Sequence, residues 1–424
     1  WQRQKVGSPT HGQVMALKAN KKGPPEDDPF ANIQPKAYSF TLSFSAFAMV
    51  ILTTLSASFL NCSPVAGLRT IRSYGVRSEI SGDPMTDDTV FQIASMTKPI
   101  TGVACMQAVE RGLLALDQPA GDVIPWLADV QVIDHFDESG PVLRAPQNPV
   151  TLRNLLTHTS GFTYEIWNSD VAAWIEHTGA PSTGSGKLAS LRQPLSFEPG
   201  ERWEYGIGID WAGQLLEAVS GVRLESWMRS EIFEPLGMSD TAYQCNATMT
   251  DRLAATHLLD GKQWKALIPS DRKTLPEFDS GGGGLYSTTL DYAHFIQMLL
   301  NGGELFGHRL LSSETVSAMS SNNMGQLRVS PATSHDQILS ADFEFMPGVP
   351  KSWGLTFQLN EEAVPEGRQL GSMSWAGLFN THFWIDPTSG LGALLMTQTL
   401  PFMIPRVAEL LDEFEQVVYA AVAS

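Results

Sequence analysis

Apolar and polar residues are arranged along this chain in patterns of two periods, each predicting one kind of element. Met96, Ile100, Val103, Met106 and Ala108 recur at helical spacing, and Gly112 stops the run. Further helices are predicted over Trp211 to Val219, ended by Gly221, and over Thr288 to Leu300. A one-faced stripe of Val407, Leu410, Leu411, Phe414, Val417, Val418 and Ala421 predicts a closing helix. Thr151 to Gly161 reads as a short capped helix ending in glycine, and Pro235-Leu236-Gly237-Met238 closes another. Period-two or short apolar runs fall at Trp353 to Leu359, Leu370 to Trp375, Thr381 to Ile385 and Leu391 to Thr399. Turns such as Asp386-Pro387-Thr388-Ser389-Gly390 separate them, which predicts an antiparallel meander. Near the start, Arg69 to Val76 predicts a strand, and Thr89 to Ala94 leads into the first helix. The order is strands, a mostly helical middle, then strands and a helix. It predicts an α/β fold with one sheet built from both chain ends, about 38–90 and 340–424, and a helical part over about 91–339.

The first 37 residues break this order. Lysines and arginines precede Pro24-Pro25-Glu26-Asp27-Asp28-Pro29 without apolar periodicity, so 1–37 is expected to be a tail. Residues 37–60 are uncharged and apolar enough to span a bilayer. A buried helix or strand of the body is the leading expectation there, with a membrane anchor or late export signal as the alternative. Acidic residues outnumber basic ones by 45 to 28 for a formal charge of −17. Such a body repels nucleic acid and anionic membrane, so neither is an expected partner, and membrane contact is left to residues 37–60 alone. Cys62, Cys105 and Cys245 are far apart and odd in number. They give no disulfide framework or metal spacing, and a cytoplasmic, reducing setting is the default expectation.

The chemistry is expected at Ser95-Met96-Thr97-Lys98. An apolar run ends at Ser95, and Pro99 sits in the first turn of the helix that follows. Ser95 and Lys98 therefore share one helix face at its N-terminus. A serine hydroxyl needs a base to become a nucleophile, and a lysine buried near the positive end of a helix is pushed towards useful basicity. First-turn backbone N–H groups can face a developing oxyanion. Ser-x-x-Lys also occurs at Ser270-Asp271-Arg272-Lys273, but no helical run follows and a polar loop is expected there. His158 and Ser160 suggest a serine–histidine pair, yet both fall at a helix end where side chains usually bond carbonyls. Tyr205, in a glycine-spaced loop, reads on its own as packing. Ser280-Gly281-Gly282-Gly283-Gly284 lacks the Gly-Lys-Ser/Thr of a phosphate loop and is read as a flexible turn.

From about Tyr74 onward the chain resembles the serine β-lactamase and penicillin-binding-protein superfamily, most of all the class C β-lactamase-like family VIII carboxylesterases. The stretches that carry the resemblance are Phe91–Lys98, Leu155–Gly161, Pro199–Tyr205 with Asp210-Trp211-Ala212-Gly213, and Ser374-Trp375-Ala376-Gly377 before Asp386-Pro387. It implies a β-lactamase/transpeptidase-like antiparallel sheet flanked by helices. It also implies Ser95 as nucleophile, Lys98 and Tyr205 as its base system, and an oxyanion hole from the backbone N–H groups of Ser95 and Leu378. No metal or organic cofactor is expected. Two departures bear on substrate. The family's tyrosine motif usually ends in Asn where this chain has Ile207, and its third motif usually opens with Lys or His where this chain has Trp375. An amide partner and a charge partner for a lactam are thereby lost. Trp375, Gly377 and Ile207 are expected to offer an apolar substrate wall suited to a neutral ester.

The expectation is a serine carboxylesterase acting on short, apolar esters through an acyl-enzyme. The alternatives are β-lactamase or D-alanyl peptidase activity, acyl transfer to an alcohol, and a scaffold that keeps the fold without turnover.

Overall fold

The computed structural model of the protein describes residues 46–53, 68–261, 263–267 and 275–423. Its centre is a seven-stranded antiparallel sheet. The strands are β1 (Ala46–Thr53) and β2 (Leu68–Gly75) from the start of the chain, and β5 (Lys351–Trp353), β6 (Gln358–Asn360), β7 (Met373–Gly377), β8 (Thr381–Asp386) and β9 (Leu391–Met396) from its end. They lie in the order β5-β6-β7-β8-β9-β1-β2. Strand β1 pairs antiparallel with β9 through Ala48↔Met396 to Thr53↔Leu391, and with β2 on its other side. The apolar stretch 37–60 thus places residues 46–53 in the interior of a sheet; its remaining residues lie outside those described. Among the described residues, no helix is long and apolar enough to cross a membrane.

The first run of the predicted meander differs. Trp353 to Leu359 is two strands, β5 and β6, joined by a tight turn in which Thr356 has φ 79°. Gly354 closes this turn by donating its N–H to the Phe357 carbonyl at 2.8 Å, and it lies so close to the Met319 carbonyl that a side chain would collide.

Helices cover both faces of the sheet because successive residues of a strand point opposite ways. Phe383 of β8 meets Tyr292 of α4 (Thr289–Leu300) at 5.4 Å between ring centroids. The next residue, Trp384, meets Phe414 of α5 (Pro405–Ala423) at 5.3 Å on the other face. A buried ion pair ties α5 to the β6–β7 connection: Arg368 Nε and Nη2 donate to Glu415 at 2.9 and 2.5 Å. Both residues are about 5 % exposed, so neither charge is screened by solvent.

The middle of the chain carries α1 (Thr97–Glu110), α2 (Leu152–Leu156) and α3 (Gly208–Ser220). Every residue of α1 from Thr97 to Ala108 is buried, so this helix is wrapped on all sides and does not lie as a one-faced surface helix. Helix α2 has the expected cap: the Thr151 side chain accepts from the Asn154 N–H, and the Asn154 side chain accepts from the Thr151 N–H. Two short strands, β3 (Val90–Gln92) and β4 (Tyr286–Thr288), pair antiparallel and aim the chain into the α1 turn.

Candidate active site

Ser95 lies in a 3₁₀ turn, Ala94–Met96, that runs directly into α1. The preceding residue, Ala94, has φ 42°, a left-handed conformation that L-residues avoid unless the surroundings hold it. The turn is held from two sides. Met96 O accepts from the Tyr292 hydroxyl at 2.9 Å, and Thr381 Oγ1 donates to Ile93 O at 3.4 Å.

Lys98 is completely buried one turn along. Its Nζ donates to Ser95 Oγ at 3.1 Å, to Tyr164 Oη at 3.1 Å and to the Gly282 carbonyl at 2.6 Å. Three acceptors around one ammonium satisfy its three protons. Burial nevertheless dominates its titration: loss of hydration lowers the lysine from its ordinary 10.5 to about 7, against the upward pull of Asp210. Near neutral pH a large fraction of Lys98 is therefore the free amine, within reach of the Ser95 proton.

Tyr205 completes the group. Its ring lies 4.7 Å from Lys98 Nζ, and its hydroxyl accepts from the Trp375 indole at 3.3 Å. Burial holds the phenol well above its usual value, against the downward pull of Ser95 and Trp375. It is a neutral phenol at pH 7. The structure thus brings Ser95, Lys98 and Tyr205 together, and Lys98 is the member whose ionisation falls near neutrality.

Trp375 stands on β7 where the family that the chain resembles usually carries Lys or His. Its ring is only 5 % exposed, packed against Trp353 at 4.6 Å, Tyr205 at 4.9 Å and Phe345 at 5.6 Å. Gly377 ends β7 beside the nucleophile turn, since any Cβ there would collide with the Ile93 carbonyl and Thr381 Oγ1. Leu378 follows Gly377 immediately. Ile207 caps α3 and is 1 % exposed within the core.

His158 is not paired with a serine nucleophile. It has φ 57° and is buried. Its Nδ1 accepts from the Gly206 N–H at 3.3 Å, and its ring abuts Tyr205 at 4.8 Å. Burial and the nearby Lys98 charge hold it neutral. It supports the tyrosine loop. Ser160 is also buried, accepting from the Phe162 N–H. The second Ser-x-x-Lys, residues 270–273, lies outside the described residues.

Three further groups were not legible as site residues in the sequence. Tyr164 binds Lys98 from the loop after α2, three residues past Gly161. Asp210, in the first turn of α3, accepts from Ser280 Oγ at 2.6 Å and from the Gly282 N–H at 3.0 Å. The glycine run 281–284, read as a flexible turn, begins as a buried wall behind Lys98. Thr101 Oγ1 donates to Gly281 O at 2.7 Å and Lys98 to Gly282 O. A Cβ at Gly281 would stand 2.7 Å from the Ile209 carbonyl, and one at Gly282 would collide with the Asp210 carboxylate. These glycines are there for close approach. Among the described residues, no cluster of His, Cys, Asp or Glu could hold a metal ion.

A serine hydroxyl, a buried amine and a phenol on an α/β scaffold can together carry out acyl transfer, and comparison with known proteins shows the family. The family model "Beta-lactamase" matches residues 66–413. The chain belongs to the Beta-lactamase family. Within this family of serine enzymes it is 31 % identical to the lovastatin esterase of Penicillium rubens, over 82 % of this chain and 90 % of that protein. It is 29 % identical to the monacolin J acid methylbutanoyltransferase of Aspergillus terreus, over 88 % of this chain and 91 % of the relative. Among solved structures, a mutant simvastatin synthase from Aspergillus terreus superposes with a TM-score of 0.75 at 26 % identity, covering 89 % of this chain and 93 % of that one. The α/β expectation is met by this Beta-lactamase fold, whose relatives include hydrolases and acyltransferases.

Proposed function

We propose that this protein is a serine carboxylesterase that cleaves short, apolar esters through an acyl-enzyme on Ser95. One observation carries the reading: a fully buried Lys98 amine lies 3.1 Å from Ser95 Oγ. In the first step Lys98 Nζ takes the Ser95 proton as Oγ bonds to the ester carbonyl carbon. The oxyanion is received by the backbone N–H groups of Ser95 and Leu378. The carbonyl re-forms as the C–O bond to the alcohol breaks, and a proton returns to that oxygen by way of Tyr205, leaving the acyl group on Ser95. Water then repeats the sequence and releases the acid. Every proton removed is returned, so no cofactor is called for.

Transfer of the acyl group to an alcohol is the second reading, supported by a methylbutanoyltransferase among the relatives. Hydrolysis and transfer share the acyl-enzyme and differ only in what attacks it. The test is fluorophosphonate labelling followed by turnover of nitrophenyl butyrate with and without an added alcohol. Labelling that disappears in Ser95→Ala, persists in Ser270→Ala and accompanies acid release supports the esterase. Ester product exceeding acid at millimolar alcohol favours the transferase, and absence of labelling in the folded protein overturns both.

A further inference from the structure

Among the described residues, Lys98 meets no acid directly. Its strongest partner is the Gly282 carbonyl, and that turn is clamped from both sides. Helix α1 grips its carbonyls through Lys98 and Thr101. On the other side a single carboxylate oxygen, Asp210 Oδ1, accepts from Ser280 Oγ and the Gly282 N–H. Gly282 thus stands between Lys98 and Asp210, receiving one and donating to the other. Asp210 is 3 % exposed, so its charge is barely screened.

We propose that Asp210 is a positioning residue for Lys98: it fixes the turn whose Gly282 carbonyl orients the amine, and its charge tunes how readily that amine holds a proton. This inference rests on Lys98 acting as the base of the proposed reaction. The groups facing Lys98 are Ser95 from its own turn, Tyr164 from the loop after α2, and Tyr205 ahead of α3. The His158 imidazole and the Asp210 carboxylate are the groups coupled to it by charge. Of these, Asp210 is the one that favours the protonated amine, and it opposes the burial that brings Lys98 down to about 7.

Two variants separate the anchor from the charge. Asp210→Asn keeps an oxygen that can accept both hydrogen bonds but removes the charge. Asp210→Ala removes both. The pH profile of kcat/KM for nitrophenyl butyrate is the readout, with circular dichroism of each variant confirming the fold. The wild-type profile should rise through an acid limb near pH 7. In Asp210→Asn that limb should move to lower pH by about one unit, the scale of a nearby opposite charge. In Asp210→Ala the upper plateau should also fall roughly tenfold to a hundredfold below that of Asp210→Asn, as the amine loses its orientation. An unmoved limb in Asp210→Asn overturns the inference and leaves the esterase reading standing. A wild-type profile without a limb near 7 overturns the base role of Lys98 itself. Should Asp210→Ala fail to fold, the position of the Asp210→Asn limb alone decides.

Discussion

Replacing Lys98 with methionine tests the electrostatics of the site through stability alone, independent of any substrate. The fully buried lysine titrates at about 7 in the folded protein and at 10.5 once unfolded and hydrated. Between these values the unfolded chain binds more protons than the native one, so this residue makes stability rise with pH across that window. Below pH 7 both states carry the proton and the full cost of the buried charge is present. The interval corresponds to about 5 kcal/mol at 1.36 kcal/mol per pH unit, of which roughly 2 kcal/mol falls between pH 7 and 9. Lys98→Met keeps a similar chain length and has no such titration. The unfolding free energies of wild type and Lys98→Met, from denaturant curves of equal slope, should therefore diverge with pH. Wild type should gain about 2 kcal/mol on the variant from pH 7 to 9. Parallel stability curves over that range would show that Lys98 keeps an ordinary affinity for its proton, and the reasoning about its basicity would fail.

Tyr205→Phe and Lys98→Met should each lower kcat/KM by about a thousandfold, and the double variant should cost little more than either, because the two groups serve one proton path; near-full activity in Tyr205→Phe would return that residue to packing. The wild-type protein should prefer nitrophenyl butyrate over nitrocefin by at least about a hundredfold in kcat/KM, the scale of a missing charge-assisted contact. Trp375→Lys should narrow that ratio, and equal efficiencies in wild type would instead favour a lactamase. Glu415→Gln should lower stability by about 3–5 kcal/mol by stranding the buried Arg368 charge, read as a shift of the denaturation midpoint; a change under about 1 kcal/mol would mean that the pair is solvated.

What could be read in advance depended on sequence distance. Ser95 and Lys98 are three residues apart across a 3₁₀ turn and the first turn of α1, so local geometry alone joins them. The meander was legible because period-two runs and Asp-Pro turns are local signals. Residues 46–53 were ambiguous because an uncharged apolar run buries equally well as helix or strand; pairing with β9, more than three hundred residues away, decided it. Tyr164 and Gly282 reach Lys98, and Asp210 reaches Gly282, across separations that no local pattern encodes. The glycine run misled for a physical reason. Glycines placed for freedom and glycines placed for close approach look identical in sequence, and only the neighbours, here Ile209 O and the Asp210 carboxylate, tell them apart.

Those glycines also set where this enzyme can diversify. The wall behind Lys98 admits no side chain at 281 or 282, so neither drift nor a mutagenesis library has alternatives to offer there. The opposite flank is built of exchangeable rings: Trp167 lies 5.4 Å from Tyr205, and Phe343 and Phe345 pack in turn against Trp167 and Trp375. In the proposed reaction, that flank is where acyl preference would change, one ring at a time.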